Sequence, residues 1–337
     1  MSDSTFESYY YFHIIRKMGW RNPTKSFGRF TNPYTEVPKH NIWDVILWRF
    51  GHYDEPHTLP PVGFSYPAQP GVFNESIPST VWIGHSTYLI QVGGLSFLTD
   101  PLFSPHCSPV PIRSLERRHQ PSIEITDLPR IDVVLISHNH YDHLDERSVR
   151  QIHARNPDTL WVVPNGVKRW FTRKGMRNVC ELNWGQFHAM NDHCWITAVP
   201  AQHFSGRGLW DENQTLWCGY VIECKKKTFY FAGDTGYNEV DFKQIGERWP
   251  SIDLSLIPIG AYAPKRMMQP IHVCPKEAVQ IHSDVNSRLS LGMHWHTFCL
   301  SDEPMDLPPY DLYLAMKEYQ LPFETFLPIL PGQYVNW

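Results

Sequence analysis

Apolar positions in this chain come in short blocks, each closed by a cluster of polar side chains. Val133 to Ile136 is wholly apolar between polar neighbours, the pattern of a strand buried on both faces. Val81 to Ile83, Thr87 to Val92 and Leu95 to Leu98 predict a meander, with Gly93-Gly94 as a two-residue hairpin turn. Trp161 to Pro164, Trp195 to His203, Phe229 to Phe231 and the stretch from Leu254 predict further strands, as does the run before His294. Glu146 to Asn156 reads as a helix, and Pro275 opens another. Spacing alone therefore supports a layered α/β or α+β domain, with no internal repeat visible.

The first 75 residues differ. They are rich in proline, and the stretch from Pro60 to Pro70 predicts a linker. Tyr9 to Ile15 is aromatic and β-branched. Ile42 to Phe50 places Trp43, Ile46, Leu47 and Phe50 at helical spacing, for a helix packed on the main domain or lying at a membrane surface. Residues 1–75 are expected to form an extension and residues 76–337 the main domain.

Chemistry concentrates where the buried strands stop. His138, His140, Asp142 and His143 follow Ile136 within seven residues, too dense a polar group for a core and well placed to face a cleft. Two histidines at i and i+2 can reach one ion from a tight loop, while Asp142 and His143 point at a second. Imidazole with carboxylate suits Zn, with Mn or Fe as alternatives. His203 and Asp234 each close another apolar strand. A histidine is expected after Leu289–Met293 as well, where His294 and His296 compete.

Composition narrows the classes. With 34 acidic against 30 basic side chains the net charge is −4, which gives no footprint for nucleic acid. Seven scattered cysteines without a Cys-x-x-Cys argue against a disulfide framework or a thiolate zinc site and suit a reducing compartment. The acidic start with His13, Arg16 and Lys17 reads as no signal peptide, and no window reaches the roughly 20 apolar residues that span a bilayer. A cytoplasmic, soluble or peripheral membrane protein is expected.

Ser-His-Asn-His-Tyr-Asp-His-Leu-Asp (137–145) resembles the metal-binding string of the metallo-β-lactamase superfamily, and within it the N-acyl-phosphatidylethanolamine-hydrolysing phospholipase D family. Arg29 to Pro33, Trp82 to Thr87, Leu98 to Pro101, Gly233 to Tyr237 and His294-Trp-x-Thr-Phe298 resemble that family too, with His296 in place of a glycine. The resemblance implies an α+β four-layer αββα sandwich holding two Zn2+. Ion one would take His138, His140 and His203, ion two Asp142, His143 and His294, with Asp234 bridging. Asp100 would orient a ligand histidine. His272 aligns with a histidine beside the substrate phosphate, where it would stabilise charge or protonate the leaving oxygen, and Tyr141 is a substrate-contact candidate. His282 reads as structural.

The implied activity is hydrolysis of a phospholipid substrate, N-acyl-phosphatidylethanolamine, to phosphatidic acid and an N-acylethanolamine at a peripheral membrane surface; a homodimer stays open. The rivals are a lactonase, β-lactamase or nuclease on the same scaffold, a diiron electron-transfer protein, and a non-catalytic interaction module. The diiron version carries Glu where this chain has His140, and the module loses ligands, whereas all seven positions are filled here.

Overall fold

The structure is a computed structural model that describes residue 20 and residues 23–35, 47, 48, 51, 53, 55–208 and 210–337. A two-stranded hairpin, β1 (Thr24–Ser26) and β2 (Arg29–Thr31), precedes two seven-stranded sheets. The first sheet begins with β3 (Ser79–Gly84), β4 (Thr87–Val92) and β5 (Leu95–Thr99), the expected antiparallel meander. Gly93 (φ 64°) and Gly94 (φ 82°) supply the two left-handed positions that a tight hairpin turn of the primed type needs. β6 (Val133–Leu135), β7 (Leu160–Pro164) and β8 (Val179–Leu182) continue the sheet in parallel.

The second sheet has the same plan. β9 (Phe187–Asn191), β10 (Cys194–Val199), β11 (Gly219–Cys224) and β12 (Lys227–Phe231) are antiparallel. β13 (Leu254–Pro258), β14 (Ser290–Met293) and β15 (Phe326–Leu327) then run parallel. β16 (Tyr334–Asn336) returns to pair antiparallel with β3, in the place β9 occupies beside β10. The two halves thus repeat one strand order, though the edge strand beside β3 returns from the far end of the chain, a repeat the sequence does not reveal.

Residue alternation assigns the layers. In the β6 region Val133 and Leu135 join the cluster between the sheets, while Val134 and Ile136 join an outer cluster. The outer cluster also takes Val149 and Ile152 of α1 (Glu146–Arg155) and Phe171 of α2 (Lys168–Thr172). Asp145 caps α1 by accepting from Ser148 N. On the second sheet, α3 (Glu239–Arg248), α5 (Pro275–Asp284) and α6 (Pro308–Glu318) contribute Phe242, Ile245, Val279, Ile281, Leu312 and Met316 to the main cluster. The short α4 (Lys265–Met268) lies between α3 and α5 in the chain. The result is the αββα sandwich.

Tyrosine hydroxyls cross from sheet to sheet. Tyr88 Oη donates to Gly292 O at 2.7 Å and Tyr220 Oη to Ile136 O at 2.8 Å, while Phe97 meets Phe229 edge to face. Burying these rings with their hydroxyls satisfied fixes the rise of one sheet against the other.

Two expectations need amendment. The stretch from Pro60 to Pro70 is held to the core rather than free. Phe64 meets Tyr310 edge-on at 5.0 Å and Tyr313 tilted at 5.5 Å, and buried Tyr66 donates to Phe326 O at 2.8 Å. The strand expected from Trp195 to His203 ends at Val199, so His203 sits in the following loop. Tyr9 to Ile15 and most of Ile42 to Phe50, including Trp43, Ile46 and Phe50, lie outside the described residues. Leu47 and Trp48 are helical.

Candidate metal centre

Every side chain of the candidate centre leaves one edge of the sandwich. Asp100 follows β5, His138 to His143 follow β6, His203 lies beyond β10, Asp234 beyond β12, and His294 directly ends β14. Parallel strands place their C-terminal ends together, so residues far apart in the chain converge there. The β12–β13 connection begins hard against the β6 loop. At Gly233 (φ 63°) an added Cβ would stand 2.6 Å from Ser137 Cβ and 3.1 Å from Cys218 O, which excludes other residues.

Two ligand groups result. His138 Nε2 lies 2.8 Å from His140 Nδ1, and His203 Nε2 lies 3.3 Å from it. In the second group Asp142 Oδ2 is 3.2 Å from His143 Nε2 and 3.4 Å from His294 Nε2. Asp234 Oδ2 is 3.1 Å from both His143 Nε2 and His294 Nε2 and 3.8 Å from His203 Nε2, so it stands between the groups. Nitrogen and oxygen ligands ~2.0–2.1 Å from one tetrahedral zinc are about 3.3–3.4 Å apart, within the 2.8 to 3.8 Å spread of the separations here. Among the described residues, the buried His143 Nε2, His294 Nε2 and Asp234 Oδ1 have no hydrogen-bond partner. Orphaned buried polar atoms at ligand spacing fit a metal ion.

The presenting nitrogen of three rings is fixed from behind. His143 Nδ1 donates to Asp100 Oδ2 at 2.7 Å. Asp100 also accepts from Ser137 N, at 2.7 Å, and from Ser137 Oγ, which in turn takes His138 Nδ1 at 2.9 Å. His203 Nδ1 donates to Ile271 O at 2.9 Å. Each leaves Nε2 free toward the centre, the usual outer-shell arrangement of metal-ligating histidine. The whole β6 loop is braced by Arg207, which donates to Asn139 O at 2.9 Å and Leu144 O at 2.7 Å, while Gly206 N donates to Asn139 Oδ1 at 2.8 Å.

Burial and charge act in opposition. Burial holds His138 and His203 well below the usual histidine range and His140 at about 4, so all three are neutral and ready to ligate. Burial would also depress His294, but Asp234 and Asp142 outweigh it and push it up to about 9; the same carboxylates raise His143. Burial would raise Asp142 and Asp234, yet the facing histidines hold both well below the carboxylate range.

The other candidates occupy distinct positions. His272 stands beside the centre, Nδ1 3.9 Å from Asp234 Oδ2, and burial lowers it to about 4. Tyr141 donates to Arg207 O at 3.0 Å under that guanidinium, 3.9 Å away, and lines a groove of ≈ 780 Å³ with Ser104, Trp170 and Arg150. His296 turns away from the centre to stack on His119 at 3.9 Å, its Nδ1 3.1 Å from Asp306 Oδ1. His282 bonds Ser290 Oγ at 2.8 Å within the core. His85, Ser137 and Arg207 also belong to the centre, and sequence reasoning did not single them out. His85 lies inside the Trp82 to Thr87 segment, and Arg207 four residues after His203, the only signals available.

A family model described as a beta-lactamase superfamily domain matches residues 96–295. The chain is 36% identical over 294 residues to N-acyl-phosphatidylethanolamine-hydrolyzing phospholipase D 1 of Caenorhabditis elegans, covering 84% of this chain and 83% of that one. It is 40% identical over 227 residues to the mitochondrial protein of the same name from Saccharomyces cerevisiae, 66% of this chain but 48% of the yeast one. Among solved structures, an isothiocyanate hydrolase from Delia radicum gut bacteria aligns with TM-score 0.61 at 20% identity, over 77% of this chain and 98% of its own. A metallo hydrolase from Ignicoccus hospitalis aligns with TM-score 0.57 at 19% identity, over the same shares. At such identities the two structures speak to fold alone.

The charge balance predicts a pH signature for metal-free protein. His294 is raised from 6.5 to about 9 and His143 is raised with it. The stabilising contribution of His294 is therefore complete below pH about 6.5 and lost as pH climbs through about 9, and the raised His143 adds a loss of the same sign as pH rises. Thermal melts of chelated protein should show Tm falling across that window, while metal-loaded protein stays level. A level chelated profile would contradict the assignment.

Proposed function

Because the chain belongs to the metallo-β-lactamase superfamily and, within it, to the N-acyl-phosphatidylethanolamine-hydrolysing phospholipase D family, we propose that this metal-dependent hydrolase is a dinuclear zinc phosphodiesterase acting on N-acyl-phosphatidylethanolamine. The observation that carries the reading is the doubled ligand set, His138, His140 and His203 beside Asp142, His143 and His294, with Asp234 between them. When bound, a pair of divalent cations lowers the pKa of water toward about 7 and neutralises charge on phosphoryl oxygens. Water adds its oxygen to phosphorus, the P–O bond to the ethanolamine breaks, and a proton passes to the leaving oxygen. Phosphatidic acid and N-acylethanolamine result.

The chain's own groups supply the rest. His272, neutral near pH 7, is suited to donate a hydrogen bond to a phosphoryl oxygen and poorly suited to act as an imidazolium acid. The groove beside Tyr141, lined by Trp170, Pro109 and Ser104, has room for part of a lipid. Phe27 at the tip of the β1–β2 hairpin and Trp210 are the two most exposed aromatic side chains among the described residues, at 103% and 81%. Arg29 beside that tip bonds Trp210 O at 3.2 Å, and Asn32 just after β2 bonds His203 O at 2.8 Å. Exposed aromatics flanked by Lys25 and Arg29 suit a peripheral membrane surface. No helix among the described residues is long and apolar enough to cross a membrane. The 1–75 and 76–337 division belongs to the same proposal, the first part serving as an extension laid on the catalytic domain.

Three outcomes are expected. Purified, metal-quantified protein incubated with mixed lipid vesicles should release phosphatidic acid and N-acylethanolamine together by mass spectrometry, and Asp234→Asn should abolish both. Two bound ions without lipid turnover would move the assignment to a lactone or another small ester. His272→Ala should keep both ions and lose about 10²-fold in turnover; unchanged turnover would remove its role. Phe27→Asp with Trp210→Asp should shift protein from pelleted vesicles to the supernatant, and equal pelleting would discard that surface.

A further inference from the structure

His85 belongs to neither ligand group in the proposed assignment, yet it is 1% exposed and faces the second one. Its Nε2 lies 3.0 Å from Asp142 Oδ2, and it shares a cluster with Asp142, His143 and His294 whose ligand atoms all lie within 4.8 Å of one another. The ring sits 4.2 Å from the His294 ring, with Phe298 edge-on behind it at 5.3 Å. Its backbone is left-handed, φ 54°, an uncommon state for a residue with a side chain. Three bonds hold it there. His85 N donates to Thr297 Oγ1 at 2.7 Å, and His85 O accepts from Trp82 Nε1 at 2.8 Å and from His294 N at 3.1 Å. The β3–β4 turn of one sheet is thereby joined to the His294 loop of the other.

We propose that His85 is a positioning residue whose Nε2–H donates to Asp142 Oδ2 and holds that carboxylate at ligand distance from His143 and His294. The role rests on the two-ion reading. Asp142 is the half-buried member of its group, in the turn after β6, and among the described residues its oxygen has only histidine neighbours to fix it. Hydrogen bonds behind a ligand usually change metal affinity by ~10–100-fold. Because His85 O also receives His294 N–H, one residue sets two of the three ligands that are not shared.

The test compares two amides. Asparagine tolerates left-handed backbone better than histidine, so His85→Asn should fold, but its short amide falls short of Asp142. In His85→Gln the longer side chain carries an N–H to about the place of Nε2. Metal content would be read during chelator competition, alongside the absorption spectrum of cobalt-substituted protein. His85→Asn should lose one of two ions at ~10–100-fold lower chelator concentration than wild type, and His85→Gln should recover most of that loss with a wild-type cobalt spectrum. An Asn variant as resistant as wild type overturns the role. So does a Gln variant no better than Asn, since the ring itself would then be needed. A wild-type protein that holds fewer than two ions overturns the two-ion reading and this role together, and is thereby distinct from either result.

Discussion

Two carboxylates, Asp142 and Asp234, are drawn into one buried edge of the protein, and the rest of the structure answers that fact. An ionised carboxylate taken out of water costs several kcal/mol unless cationic or hydrogen-bonding groups face it. Here the facing groups are His143 and His294, whose raised pKa values are the same interaction seen from the other side. Without metal, protonated His143 and His294 offset much of the charge of the pair. With metal the protons are no longer required. The centre is thus built around positive charge, and its identity as proton or cation is what pH and chelation exchange.

Bringing those groups together depends on the two sheets sharing a register. The tyrosine hydroxyls of Tyr88 and Tyr220 each end on a backbone oxygen of the opposite sheet. At the rim, Trp82 stacks on Trp295 at 5.4 Å, while His85 N donates to Thr297 Oγ1 and His85 O accepts from His294 N. The repeated plan of the halves gives each a row of parallel strand ends, and the ligands divide between them. His138 to His143 come from one half, His203, Asp234 and His294 from the other. Neither half carries a complete site, so the inter-sheet core is a functional requirement as much as a stabilising one.

Much of this was legible in the sequence, for identifiable reasons. Four candidate ligands crowd into His138 to His143 directly after a buried strand, so local pattern pointed to that stretch, whereas His203, Asp234 and the choice of His294 over His296 came from the family resemblance. His85 escaped because its partner Asp142 is 57 residues away and a lone histidine in a turn has no periodic signature. Arg207 escaped likewise, since its guanidinium serves carbonyls 63 and 68 residues upstream. The proline-rich stretch misled in the opposite direction. Its prolines do mark extended chain, but Phe64 and Tyr66 decide whether extended chain is free, and their ring partners lie near the C-terminus. The shared plan of the two sheets stayed hidden because strand order repeats here without residues repeating.

Backbone strain at the centre shows how the geometry is kept. His85 (φ 54°), Asp100 (φ 29°) and His294 (φ 61°) all lie in the left-handed region, where a side-chain-bearing residue costs about 1–2 kcal/mol. None would stay there unaided. Asp100 is tied through Ser137 and His143, and His294 and His85 through each other and Thr297. Strain of this kind survives only where surrounding bonds over-determine it. The ligand atoms consequently stand at metal spacing in the protein itself, so binding need not order them. Groups fixed in advance also resist relaxation when charge develops beside them, which is the condition under which fixed dipoles and cations act most strongly.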